Sequence, residues 1–161
     1  MPEGGGDARG DSLATLRVLT HEMSTEPALA DLFEKADAQS KKGTLGPWQA
    51  ANLREMKRSW VRATCLPADL VAAASKAESR CEQAWRKLRG LNDWNSFAPL
   101  LTQVVARKRE VAAALASRLE LPLYDALLDG YEPGARSSAI DVLFADLRAF
   151  LPDFIRAAIE K

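Results

Sequence analysis

Between Leu13 and Phe154 apolar side chains return every three or four positions, stretch after stretch. No run alternates at the period of two that a half-buried strand requires. That periodicity commits the chain to helices packed on helices, an all-α bundle of about six. Ala, Leu, Arg, Glu and Lys dominate and β-branched residues are sparse, so most side chains lose little freedom on entering a helix. No fixed period repeats, which argues against a solenoid.

The spacing predicts a first helix from about Asp11 to Met23 carrying Leu13, Leu16, Leu19 or Thr20, and Met23, after a flexible start over 1–10. Thr25 is suited to cap a second helix with Pro27 in its tolerant first turn and Leu29, Leu32, Phe33 and Ala36 as its buried stripe. Gln39 to Gly46 reads as a loop, and Pro47 opens a third helix. Its apolar side is Leu53, Met56, Trp60 and Ala63, while Arg54, Arg58 and Arg62 line another side. Pro67 starts a fourth, whose seam of Leu70, Ala74, Ala77, Cys81, Ala84 and Leu88 is small enough for close approach. Gly90 and Asn92 stop it. Asp93 or Ser96 then caps a fifth helix carrying Phe97, Leu101, Val104, Val111, Leu115 and Leu119, with the stem of Lys108 bridging a gap. Pro122 ends it, and Tyr124 to Asp129 forms a helical turn. After a tight connection at Gly130 to Arg136, Ser138 and Asp141 resemble a capping box for a last helix. Ile140, Leu143, Phe144, Leu147, Leu151 and Phe154 give that helix its apolar face, and Pro152 is placed to kink it.

At 161 residues the chain is long enough to bury a core without disulfides, and a single domain over 1–161 is expected. Lys plus Arg and Asp plus Glu both number 22, so no global field draws in nucleic acid or an anionic membrane. No apolar run reaches bilayer length, and Met1 to Gly6 lacks the layout of a signal peptide, so the expected setting is cytoplasmic. Cys65 and Cys81 are too far apart for a CxxC motif and read as buried thiols.

The sharpest local hint of chemistry is His21-Glu22, because HExxH sets two histidines one helical turn apart to hold zinc while the glutamate activates water. Here the second position is Thr25, and His21 is the only histidine in the sequence. The favoured reading of His21 is a partly exposed side chain near a helix end. Three-ligand zinc from His21, Cys65 and Cys81 is formally available, but their scatter favours two ordinary core cysteines. No GxSxG elbow is present, and Gly4 to Gly6 do not follow a strand as a phosphate loop would. The ridge Arg54, Arg58 and Arg62, with Lys57 beside it, could contact phosphate or carboxylate, though a solvated helix face is preferred. Trp48, Trp60, Trp85 and Trp94 could stack bases; Trp60 and Trp85 sit among apolar positions and read as packing. No catalytic, cofactor-binding or metal-binding residue is assigned, and no cofactor is expected in this chain.

Three stretches together resemble the thermostable (Taq) metallocarboxypeptidases: PWQAANLREM at Pro47 to Met56, LPADLV at Leu66 to Val71, and YDALLDGYEPG at Tyr124 to Gly134. Trp85, Asn92-Asp93, Phe97 with Pro99, and Leu143-Phe144 with Leu147 extend the likeness over nearly the whole chain. The resemblance implies a helical peptidase that removes single residues from peptide C-termini. It also implies a homodimer, with zinc or another divalent metal held by HExxH and a downstream glutamate. In that family the metal motif comes well after the position matching Lys161, so this chain corresponds to roughly the first third of such an enzyme. Family members usually have a further helix before the segment matching Met1 to Arg9, and truncation at both ends is expected. The partners implied are the rest of the carboxypeptidase chain, a second copy and, for the whole enzyme, a peptide substrate. The alternative is a stand-alone helical scaffold for binding another protein, and a nucleic-acid binder using the arginine ridge stands last. Tyr131 to Gly134 are assigned to fixing a connection rather than to substrate.

Overall fold

The computed structural model describes residues 4–160. Seven helices and no strand occur among them: α1 (Gly6–Ser24), α2 (Ala28–Lys41), α3 (Pro47–Thr64), α4 (Ala68–Leu88), α5 (Trp94–Leu119), α6 (Leu123–Leu128) and α7 (Ser137–Ile159). The expected all-α class holds, and the helix beyond the expected six is α6, the short turn foreseen at Tyr124 to Asp129. The residues gather into two compact units, one running to Ala114 and the other starting at Leu115, so the division falls within α5.

In the first unit the main packing is α1 on α4. Small residues allow it: Gly10 and Ala14 of α1 and Ala74, Ser75 and Cys81 of α4 are buried. A Cβ at Gly10 would come within 3.3 Å of the Ser79 hydroxyl. Across the same pair Gln83 donates to the Gly6 carbonyl at 2.9 Å, and Lys76 pairs with Asp11 at 2.9 Å. The start expected to be flexible is therefore half taken up by α1, which begins at Gly6 rather than Asp11; residues 1–3 lie outside the described residues.

The α2 and α3 helices meet through Phe33, which is 9% exposed, and Trp60, whose ring centroid lies 5.2 Å away at a 40° tilt. Thr25 does not cap α2. Its hydroxyl donates to the His21 carbonyl at 2.8 Å and so closes α1 instead. α2 also runs to Lys41, into the expected loop. At the start of α3, Pro47 occupies the first turn as foreseen, and the Gln49 side chain accepts from the Gly46 N–H at 2.9 Å. Leu32 and Met56, expected inside, are exposed, and no α3 residue is fully buried. These two helices thus cover each other along a narrow line centred on the ring pair.

Of the two proposed caps for α5, Asp93 takes the role, accepting from the Ser96 N–H at 3.1 Å, after Asn92 has turned the chain with φ 53°. In the second unit Leu115, Asp125 and Ala126 are buried. Ser138 is not the cap of α7, because it already lies inside the helix. The orphan N–H of Ser137 is taken by the Asp125 carboxylate at 2.9 Å, a cap supplied from α6. α7 itself buries no residue.

Candidate functional site

The motif at Tyr124 to Gly134 folds into a doubly braced turn. Asp125 ties the start of α6 to the start of α7 through Ser137, and that hydrogen bond, with Arg136 nearby, holds its carboxyl below the ordinary aspartate range. Asp129 accepts from the Gly134 N–H at 3.0 Å and lies 3.7 Å from the Arg136 guanidinium. Gly134 has φ 83°, a conformation that strains any residue bearing a Cβ, while Tyr131 is 90% exposed. At this turn Asp125 and Asp129 both accept from backbone N–H groups, and Asp129 also pairs with Arg136. The geometry does structural work at this turn and presents no pair of groups poised for acid or base chemistry.

The second cluster is ionic. Glu78 of α4 accepts from Arg17 of α1 at 2.9 Å and pairs with Lys108 of α5 at 2.7 Å, joining three helices of the first unit. Burial works against the charge of Glu78, but the hydrogen bonds from Lys108 and Arg17 outweigh it and hold the carboxyl below its usual range. Lys108, whose stem was expected to bridge a gap in the apolar face of α5, contributes its ammonium group to this cluster.

The arginine ridge is engaged at the surface. Glu55 pairs with Arg54 at 3.1 Å and with Arg58 at 3.0 Å, while Lys57 pairs with Asp37 of α2. Among the tryptophans, Trp85 and Trp94 join Leu88, Arg89, Asn92, Asp93 and Phe97 in lining an open cavity of about 230 Å³ where α4 turns into α5. The Arg89 guanidinium lies 5.1 Å above the Trp85 ring there. Trp85 is 42% exposed, so the expected packing role is only partly realised, and Trp48 is solvent-exposed.

The three potential zinc ligands do not converge. His21 is half-buried on α1, Cys65 at the end of α3 donates its thiol to the Val61 carbonyl, and Cys81 is buried on α4, where desolvation raises its thiol. Among the described residues no three His, Cys, Asp or Glu side chains gather in a way that could hold a metal ion.

Comparison with known proteins decides what these features belong to. The whole chain, residues 1–161, matches the pattern of the family described as carboxypeptidase Taq (M32) metallopeptidase. The chain belongs to that family. It is 34% identical to thermostable carboxypeptidase 1 of Thermus thermophilus over 92% of its own length and 30% of the relative's. With thermostable carboxypeptidase 1 of Pyrococcus furiosus it shares 28% identity over 100% of its length and 31% of the relative's. Metallocarboxypeptidase 1 of Trypanosoma cruzi superposes with a TM-score of 0.81 at 34% identity, covering 99% of this chain and 32% of that one. The chain thus spans about a third of the length of the relatives it matches. The metal implied by the family's description has no donor set among the described residues. Neither the Glu78 node nor the Asp125 cap was singled out from sequence. The second had a usable signal, an aspartate in the first turn of a short helix just before a Gly-Pro connection.

Proposed function

We propose that this chain is the helical front portion of a metal-dependent carboxypeptidase, an enzyme releasing C-terminal residues from peptides, and that it supplies scaffold rather than catalytic groups. The observation that carries the reading is coverage: an M32 pattern extends over all of residues 1–161, and relatives named as carboxypeptidases match nearly the whole chain with less than a third of their own length. The role assigned to this portion is to hold helices in place around a groove for the peptide. Support for it comes from the braced turn at Asp125 and Asp129 and the three-helix tie at Glu78, both of which fix backbone rather than present reactive groups. On the family resemblance we extend the proposal to a homodimer and, because no disulfide joins Cys65 and Cys81, to a cytoplasmic setting. No helix among the described residues is long and apolar enough to cross a membrane.

The test is the source reading frame together with its product. A frame that continues into HExxH, and a purified product that releases the C-terminal residue of a blocked dipeptide with added zinc or cobalt, is the expected result. The chain of residues 1–161 alone should give no stoichiometric zinc and no turnover, because a metal-bound water needs more donors than one histidine and two separated cysteines provide. Turnover by that chain, abolished by His21→Ala, would overturn the scaffold role.

A further inference from the structure

α7 is the least covered element of the molecule. From Asp141 to Glu160 every residue is exposed. Yet it is not a polar helix. Leu143, Phe144, Leu147, Phe150, Leu151 and Phe154 are all at least 40% exposed, Leu143 reaching 64%. At about 100° per residue, these positions and Ile140, Ile155 and Ala158 fall within an arc of about 140°. Asp146, Asp153, Arg156 and Glu160 lie on the other side. From Ile140 to Ala158 the arc runs about 27 Å at about 1.5 Å per residue. On a helix about 10 Å across that face covers roughly 300 Å², within the range of the largest patch a soluble monomer ordinarily leaves in water.

We propose that this face is an internal packing seam, and that its occupant is the apolar helical remainder of an M32 metallopeptidase. The inference rests on the carboxypeptidase reading given above. Two observations select that occupant. The superposition on the Trypanosoma cruzi enzyme takes in 99% of this chain, so α7 has a counterpart inside that enzyme's fold rather than beyond it. The same superposition uses 32% of that enzyme, leaving most of its polypeptide to pack against the matched portion. The arc is also free of charged side chains along its centre, as a face buried in a core must be and a face resting on an anionic lipid surface need not be.

The experiment replaces the matched first part of the Thermus thermophilus carboxypeptidase with this chain, in a single polypeptide, and introduces Leu147→Asp in the centre of the arc or Arg156→Ala on the opposite side. The same variants are made in the isolated chain and melted at a concentration where sedimentation shows a monomer. The expected result is a folded chimera in which Leu147→Asp cuts the yield of folded protein about tenfold or more, because a carboxylate is forced into an apolar seam. Arg156→Ala should leave the yield unchanged, and the isolated chain should melt alike with or without Leu147→Asp. A chimera that never folds, or one indifferent to Leu147→Asp, overturns the seam. So does an isolated chain destabilised by Leu147→Asp, which would place the occupant within residues 1–161, or an isolated chain that binds anionic vesicles through α7. Peptidase activity separates the two readings: a folded chimera that is sensitive to Leu147→Asp but inactive would keep the seam and count against the functional reading.

Discussion

Truncating Phe33 to alanine should be the most costly single change to the α2 and α3 pair. Phe33 is the one buried residue of these two helices, and its ring rests on Trp60 at 5.2 Å. Phe→Ala in a core costs about 3 to 5 kcal/mol. The pair borders an open cleft of about 480 Å³ lined in part by Leu29, Met56 and Trp60, so water can enter the space left by the ring. No sealed void forms, and the lower end, about 3 kcal/mol, is expected. For a chain of this size each kcal/mol moves the melting midpoint by about 2 to 4 °C, giving a drop of about 6 to 12 °C. Trp60→Ala should cost less, since Trp60 is only half-buried. Trp60→Phe should fall close to wild type, because the buried indole N–H has no hydrogen-bond partner and removing such an orphan recovers about 1 to 3 kcal/mol against the lost ring area. The Phe33→Ala, Trp60→Ala double variant should show a coupling of about 0.5 to 1.5 kcal/mol. Urea denaturation of the four variants beside wild type checks this. Midpoints for Phe33→Ala and Trp60→Ala that match wild type, or strict additivity in the double variant, would refute the assignment of this ring pair as the contact that holds α2 to α3.

Glu78→Gln should weaken the chain at neutral pH and flatten its acid limb. The folded carboxyl titrates below its ordinary value of 4.5, so its stabilising contribution is present above that value and disappears as pH falls through the folded one; thermal melts from pH 7 to pH 3 on both proteins would show it. Gly134→Ala should cost about 1 to 2 kcal/mol through backbone strain alone, since no atom lies within 4 Å of the added methyl, and Gly134→Asn should recover part of that. At high concentration the isolated chain should self-associate reversibly through the bare side of α7, read by sedimentation over a concentration series; Phe150→Asp should return it to monomer.

Helix content and order were legible because apolar spacing is a local property, and the Pro and Gly punctuation at Pro47, Pro67, Gly90 and Pro122 sits beside the real helix ends. The seam on α4 was legible too: Ala74 and Cys81 are buried as their spacing demanded. Burial across helices was less so. Leu32 and Met56 occupy apolar positions of amphipathic helices, but both stay more than half exposed, and a pattern states which side would be buried without stating whether a partner exists. The caps show a different limit. Thr25 and Ser138 have the right chemistry for capping, yet Thr25 bonds backward to His21 and the α7 cap comes from Asp125, twelve positions before Ser137. Such a bond depends on the path of the chain between the two residues, which local spacing does not encode.

The small residues between α1 and α4 limit how that pair can move. With Gly10 close to Ser79 and with Ala14, Ala74 and Ser75 filling the crossing, a slide of one turn would drive bulkier neighbours into a gap that has no room for them. Gln83 and Lys76 pin the same register from the edges. The pair therefore has one seating and no second notch. Any rearrangement of this part of the molecule must carry α1 and α4 together as a stiff strut, with the bending confined to the connections at either end.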